Sequence, residues 1–276
     1  MLIQAALVQG TKLLEEAGIG APRLTAEVLL GHALHREREY LYAHSDQTLP
    51  EVAWLHYGRY LHERLNGKPT QYITGRQEFY GRLFRVTPDV LIPRPETEHL
   101  IEASLARIQP GSTVLDVGTG SGAIAVTIAL ETRARVFASD ISRAALCVAA
   151  GNARKLQAPV AFVAADLAEC FAAQSVDVLA SNPPYVPDMD RASLQREVRD
   201  FEPPIALFAG ATGLEIYERL IVAARRVLRP GGWLLMELGY NSVESARGML
   251  GSGWTEIAVG QDLAGLPRVL AAKWTP

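Results

Sequence analysis

The stretch Ser112–Ala125, STVLDVGTGSGAIA, decides the fold. An apolar run typical of a buried strand carries one acid, Asp116, and passes into a loop with three glycines before a helix begins near Gly122. Glycines permit a tight turn and let a ligand approach the backbone, and the start of the helix offers free N–H groups. The stretch predicts a strand, a ligand-binding loop and a helix, which together open an α/β domain.

The same alternation continues along the chain beyond Pro93. Helices are expected after Ser142 and from Gly213 to about Leu228. The other strand-like segments are ARVFAS (134–139), VAFVAA (160–165), VDVLAS (176–181), GWLLMEL (232–238), TEIAVG (255–260) and RVLAAKW (268–274). Strands alternating with helices predict an α/β, Rossmann-like, doubly wound and mostly parallel sheet, which binds ligands at the carboxyl ends of its strands.

The spacing of apolar residues along the chain divides it into three parts. Residues 1–75 show apolar residues at spacings of three and four, which predicts a small helical bundle for substrate recognition. Within it, Thr48–Glu51 has the spacing of a capping box. Residues 76–92 predict a linking β-hairpin around Gly81, and residues 93–276 form the predicted sheet domain.

Composition narrows the class of protein. The chain has 276 residues, 49% of them hydrophobic, and a net charge of -3, which favours a globular protein without stable nucleic-acid binding. Cys147 and Cys170 show no metal or redox spacing, and the histidines of the N-terminal part are interpreted as surface or partly buried side chains, so no metal site is predicted. Without a signal peptide or a long apolar run, the sequence predicts a cytoplasmic protein that does not bind membranes.

The glycine-rich loop indicates which ligand binds. Its residues are Gly118, Thr119, Gly120, Ser121 and Gly122. A dinucleotide fingerprint reads G-x-G-x-x-G, whereas this loop reads G-x-G-x-G after an acid, the pattern of enzymes that use S-adenosylmethionine (SAM). The alternative interpretation is a tight turn between strand and helix with no ligand.

Two acids follow the next two predicted strands. Asp140 is placed to accept hydrogen bonds from both ribose hydroxyls, or alternatively to cap the next helix. Asp166 is placed to accept from the adenine amino group and Leu167 to cover the ring, whereas the alternative for Asp166 is a turn residue. Three consecutive strand ends therefore supply the parts of a nucleoside site in order.

The fourth strand ends in Asn182, Pro183, Pro184 and Tyr185. The prolines hold the backbone extended and donate no hydrogen bonds, so the segment offers acceptors, the Asn182 side-chain oxygen and the Pro183 carbonyl, to a substrate amino group. Tyr185 is expected to stack on the planar group that carries this nitrogen. A proline-rich turn that merely ends the strand is the alternative.

Several motifs together resemble the release-factor glutamine methyltransferases, the PrmC or HemK family. They are QYITG (71–75), LIPRPETE (91–98), LDVGTGSGAIA (115–125), SNPPY (181–185), RDFEPPIALFAG (199–210) and LRPGGWLLMELG (228–239). The resemblance covers nearly the whole chain and is weaker in the helical N-terminal part.

The resemblance implies a class I methyltransferase that moves a methyl group from SAM to the amide nitrogen of the glutamine in the Gly-Gly-Gln motif of class 1 peptide chain release factors. The product is S-adenosylhomocysteine. The family's loop, ribose acid and substrate motif match residues 118–122, Asp140 and residues 182–185, and Arg94 is a candidate contact to a substrate or cofactor carboxylate. One departure is Leu167, where bacterial relatives often carry an aromatic residue.

Two other functions compete with this one. Adenine N6 and glutamine N5 are both planar amino groups, so Asn182–Tyr185 by itself also suits a nucleic-acid amino methyltransferase. The net charge and the lack of a basic stripe with aromatic residues oppose that function. The other competitor is a SAM-binding scaffold without catalysis, whose fourth-strand motif would be degraded. The sequence leaves open the preferred release factor, its docking and the oligomeric state.

Overall fold

The chain folds into two compact units. A computed structural model describes residues 1–239, 241–262 and 264–276. Unit 1 comprises Met1–Arg76 with Gln195–Phe201, and unit 2 comprises Gln77–Leu194 with Glu202–Pro276. The functional division at residues 75 and 92 stays a prediction.

Unit 1 consists of short helices around one apolar core. Numbered in chain order, its helices are α1 Ile3–Glu16, α2 Pro22–Leu34, α3 Arg38–Ala43, α4 Glu51–Leu65, α5 Thr70–Thr74 and, from the distant segment, α9 Arg196–Phe201. Leu7, Leu29 and Tyr57 are among the side chains fully buried there. Arg64 binds Glu197 at 2.6 Å, which ties α9 to this unit.

The start of α4 differs from the capping box expected at Thr48–Glu51. Pro50 occupies the N-cap position, and no side chain caps the helix. Thr48 instead forms an isolated β-bridge with Leu2, which keeps its backbone extended and outside the helix. The helix therefore begins too late for Thr48 to reach its first free N–H groups.

Unit 2 contains the predicted sheet. The strands are β1 Arg76–Phe79, β2 Arg82–Arg85, β3 Thr113–Val117, β4 Arg135–Asp140, β5 Val160–Ala164, β6 Val176–Ser181, β7 Val186–Pro187, β8 Phe208–Gly210, β9 Leu228–Glu237, β10 Trp254–Gln261 and β11 Pro267–Trp274. Seven of them form one sheet in the order β10-β11-β9-β6-β3-β4-β5, and β7 pairs with β8 separately. Within the large sheet, β11 runs antiparallel to both neighbours. The prediction of a mostly parallel doubly wound sheet is confirmed.

Helices cover both faces of this sheet. They are α6 Glu98–Leu105, preceded by a 3-10 turn at Pro95–Thr97, then α7 Ala123–Glu131, α8 Arg143–Leu156, α10 Glu215–Val227 and α11 Val243–Leu250. Side chains alternate along each strand: Val178 packs in the core under α6 and α7, and Leu179 in the core under α10 and α11. No helix in the described part of the chain is both long and apolar enough to cross a bilayer.

The linking hairpin is present where the sequence predicts it. Strands β1 and β2 pair with each other, and Tyr80 and Gly81 form the turn with φ values of 50° and 68°. Two positive φ values at the centre of a two-residue turn are typical of a type I′ hairpin. Phe79 and Phe84 are buried on either side of the turn and anchor the hairpin to the core of unit 2.

Candidate active site

Four neighbouring strand ends border one cavity in unit 2. Parallel pairing aligns Val117 of β3 with Ser139 of β4 and with Ser181 of β6, so the following loops emerge at the same edge of the sheet. A cavity of about 250 Å³ lies there, lined by residues of the loops after β3, β4, β5 and β6, by part of the segment 89–97 and by part of 203–206. We call it the strand-end cavity.

The glycine-rich loop forms one wall of the strand-end cavity. Gly118, Gly120 and Gly122 have φ values of 72°, 54° and 83°, which favour glycine. A Cβ atom at Gly118 or Gly120 would meet no protein atom within 4 Å, whereas at Gly122 it would lie 3.1 Å from the Cβ of Ala149. The first two glycines therefore leave room for a ligand, and the third permits close packing of α7 on α8.

A buried acid holds this loop in shape. Asp116 is fully buried, and its Oδ2 accepts hydrogen bonds from the Thr119 hydroxyl at 2.6 Å and the Ala125 N–H at 3.1 Å. Its Oδ1 has no hydrogen-bond partner among the described residues. Burial, with a smaller contribution from the nearby Asp140, raises the pKa of the Asp116 carboxyl to about 7, against the lowering effect of the two hydrogen bonds.

We expect Asp116→Asn to flatten the pH dependence of the unfolding free energy. The folded pKa of about 7 exceeds the ordinary value of 3.8, so between these pH values the folded protein binds a proton that the unfolded chain releases. Stability from this group is therefore present below pH 4 and is lost as pH rises to 7, by roughly 2 to 4 kcal/mol. Asparagine does not titrate.

Denaturant unfolding of ligand-free protein at several pH values between 4 and 7 measures this effect. The exposed Asp190→Asn variant serves as the control and should keep the wild-type slope. Glu237, another buried acid, titrates in both proteins, so only the difference between their slopes of unfolding free energy against pH reports on Asp116. If Asp116→Asn kept the wild-type slope, the raised pKa would not belong to Asp116.

Asp140 connects the loop to the end of β4. Its Oδ2 accepts from the Gly120 N–H at 2.9 Å, and its Oδ1 accepts from the Ser142 N–H at 2.8 Å. Burial raises the pKa of this carboxyl above its ordinary value, against the lowering effect of backbone hydrogen bonds. The helix cap that the sequence left as an alternative for Asp140 is supplied by Ser142, whose hydroxyl accepts from Ala145 N–H. Asp140 lines the strand-end cavity and keeps further lone pairs for a ligand.

Asp166 and Leu167 also line the strand-end cavity. Asp166 is paired with Arg219, whose Nη2 lies 2.6 Å from Oδ2, an ion pair that the sequence did not indicate. Leu167 has a φ of 50°, an unusual value for leucine, and its carbonyl accepts from the Ser139 hydroxyl at 2.8 Å. Both residues are thus fixed at the cavity wall, and their predicted contacts with adenine stay predictions.

The four residues after β6 face alternate sides. Asn182 and Pro184 line the strand-end cavity, whereas Pro183 is buried and neither it nor Tyr185 is on the described cavity wall. Extended backbone points successive residues to opposite sides, and the two prolines hold this segment extended. Contacts of Pro183 and Tyr185 with the substrate stay predictions.

Tyr185 contacts the protein interior instead. Its ring packs against Gly239, where an added Cβ would lie 3.0 Å from the Tyr185 Cδ2 atom. Burial raises the pKa of the Tyr185 phenol, and the nearby Glu237 carboxylate raises it as well. The ring is partly buried against the core under α10 and α11, and its stacking on the substrate stays a prediction.

Asn182 is held by two residues that the sequence analysis did not select: Thr97, which also lines the strand-end cavity, and Glu237. Its Nδ2 donates to the Thr97 hydroxyl at 3.1 Å, and that hydroxyl donates to Glu237 Oε2 at 2.6 Å. Glu237 is 3% exposed, and burial raises the pKa of its carboxyl to about 7. Thr97 belongs to the motif LIPRPETE and Glu237 to the motif LRPGGWLLMELG. These motifs are distant in sequence, and only folding brings the turn before α6 next to the end of β9.

Arg94 lines the strand-end cavity and is ion-paired with Glu202. Glu202 is 2% exposed and also accepts from the Ile92 N–H at 3.2 Å, so it anchors the segment that carries Arg94. Pro203 and Ile205, which follow it, line the cavity as well. The segment after Phe201 is therefore a wall of the site, and contact of Arg94 with a ligand stays a prediction.

Family comparisons agree with this architecture. The methyltransferase small domain matches residues 96–198, and the PrmC N-terminal domain matches residues 5–75. The fold, the glycine loop and the acidic strand ends thus define a Rossmann-like methyltransferase.

Curated relatives specify the family. The release factor glutamine methyltransferase of Koribacter versatilis is 44% identical over 99% of both chains. The enzyme of the same name from Nitratidesulfovibrio vulgaris is 42% identical over 98% of this chain and 95% of its own. The chain belongs to the release factor glutamine methyltransferase family.

A solved structure adds a more distant relative. The Mtq2–Trm112 complex of E. cuniculi, responsible for methylation of the eRF1 translation termination factor, is 26% identical in the matching chain. The match covers 68% of this chain and 99% of that chain, with a TM-score of 0.50.

Proposed function

We propose that this protein transfers a methyl group from SAM to the side-chain amide nitrogen, N5, of the glutamine in the Gly-Gly-Gln motif of class 1 peptide chain release factors. The observation that carries the proposal is Asn182, an amide anchored through its nitrogen and placed in the strand-end cavity beside the glycine loop. The names of the curated relatives support the same substrate.

The residues around the strand-end cavity suit SAM. We propose that Gly118–Gly122 leaves space along the backbone for the methionine part, that Asp140 accepts from the ribose hydroxyls, and that Asp166 and Leu167 receive the adenine. When bound, SAM supplies an electrophilic methyl group on a sulfonium, and S-adenosylhomocysteine is the product.

The acceptor nitrogen needs help from the protein. An amide nitrogen is a weak nucleophile because its lone pair is delocalised into the carbonyl. The Asn182 oxygen would accept a hydrogen bond from this NH2 group, orient the nitrogen and disperse the positive charge that develops on it. During transfer the nitrogen would form the new bond to the methyl carbon as the carbon–sulfur bond breaks, and it would then lose one proton to solvent.

We propose that the helical segment 1–75 recognises the release factor. Its core is separate from that of the sheet domain, so it can vary its surface without disturbing the cavity. Because release factors act on ribosomes, the enzyme would work in the cytoplasm. Stable binding of nucleic acid is not part of this proposal.

Transfer of radiolabelled methyl from SAM to a purified class 1 release factor tests the function. We expect label on the wild-type factor and none on its glutamine-to-alanine version. DNA and ribosomal RNA are run in parallel, because the amino groups of bases are the main competing acceptors. Label on nucleic acid alone, or on the alanine version, would refute the proposal.

A further inference from the structure

The hydrogen bonds behind Asn182 have a defined direction. The carboxylate of Glu237 receives a hydrogen bond from the Thr97 hydroxyl at 2.6 Å. Above the pKa of about 7 that burial gives Glu237, its carboxyl is ionised and has no hydrogen to donate, so the single hydroxyl hydrogen of Thr97 then points to Glu237. For any other partner, the Thr97 oxygen is left with lone pairs.

This direction decides which end of the Asn182 amide faces Thr97. The two lie 3.1 Å apart, and because Thr97 can only accept here, its partner must be the NH2 end. The amide oxygen is then turned away from Thr97. The two ends of an amide have nearly the same shape, so packing alone would not select between them. The amide oxygen of Asn182 is therefore the atom left to accept a hydrogen bond from a group in the strand-end cavity.

We propose that Thr97, oriented by Glu237, is a positioning residue that keeps the Asn182 oxygen directed at the substrate amino group. The inference deepens the proposed function and rests on it, since an acceptor at this point is useful only for an NH2 substrate.

Isosteric substitutions separate this role from packing. Thr97→Val keeps the shape but removes the hydroxyl, and Thr97→Ser keeps the hydroxyl. Thr127→Val is the matched control: Thr127 is fully buried in α7, and its hydroxyl has no hydrogen-bond partner in the described structure. Turnover is measured with a release factor under saturating SAM, and SAM affinity is measured by calorimetry.

We expect Thr97→Val to lower kcat roughly tenfold, in line with one orienting hydrogen bond, while SAM affinity changes less than about threefold. Thr97→Ser and Thr127→Val should stay within about threefold of wild type in both quantities. A wild-type kcat in Thr97→Val, or an equal loss in Thr97→Ser, would overturn the proposal. So would a loss of SAM affinity as large as the loss of kcat, which indicates general damage.

A readout without substrate tests the same geometry. The side-chain NH2 resonances of Asn182, identified by their loss in Asn182→Ala, should exchange slowly with water in wild type and in Thr97→Ser, and faster in Thr97→Val. Unchanged exchange in Thr97→Val would refute the orientation. If wild type shows this protection but does not label the release factor, the proposed function fails while the orientation stands.

Discussion

Asn182→Ala should lower kcat for release-factor methylation by on the order of 100- to 1,000-fold while leaving SAM affinity within about threefold of wild type. The reason is that the Asn182 oxygen acts on the acceptor nitrogen as charge develops there, and alanine offers no acceptor. The loop residues and Asp140, which we assign to SAM, do not depend on this side chain. Single-turnover kinetics with labelled SAM and calorimetric SAM binding measure the two quantities.

Asn66→Ala provides the control for this experiment. Asn66 ends α4, is exposed, hydrogen-bonds His62 and is not among the residues that line the strand-end cavity, so the variant's kcat at saturating substrate should equal that of wild type within about twofold. Near-normal turnover in Asn182→Ala would remove the acceptor from the mechanism and, with it, the main support for an NH2 substrate.

Asp140→Ala should weaken SAM binding by roughly 10- to 100-fold, because a hydrogen bond to a charged group contributes about 1.5 to 3 kcal/mol. The structure adds a second reason for a large effect. The same carboxylate receives the Gly120 and Ser142 N–H groups, so its removal also loosens the loop that cradles the ligand. Calorimetry with SAM measures the change.

Two further variants make the result specific. Asp140→Asn keeps one acceptor oxygen and should lose less affinity than Asp140→Ala. The exposed Asp46→Ala in unit 1 should bind SAM like wild type. If Asp140→Ala bound SAM with unchanged affinity, the ribose assignment would be wrong, and the carboxylate would serve the loop alone.

Much of the fold could be predicted because it follows from local periodicity. The strand segments from β3 to β11 that belong to the large sheet were each indicated by an apolar run, and the hairpin turn by Gly81. The capping box at Thr48 failed because a bridge to Leu2, distant in sequence, overrides the local preference. The association of α9 with the helices of unit 1 has no local signal either, since it depends on the contact between Arg64 and Glu197.

Within the site, the sequence indicated which residues follow the strand ends, but not where each of their side chains points. Asn182 and Asp140 line the strand-end cavity as expected. Pro183 and Tyr185 are not on the described cavity wall, an alternation that extended backbone implies, and their contacts with the substrate stay predictions. Thr97 and Glu237 were inside recognised motifs, but each looked like an ordinary helix start or strand end.

By itself the sequence determined the order of strands and helices, the glycine loop, the acids after β4 and β5 and the amide after β6. These follow from periodicity and from residue chemistry, which act over a few neighbours along the chain. Tertiary structure alone decided the partners: Arg219 for Asp166, Glu202 for Arg94, and Glu237 and Thr97 behind Asn182. Hydrogen-bond direction depends on which groups meet in space, and that is set only when the sheet has brought distant segments together.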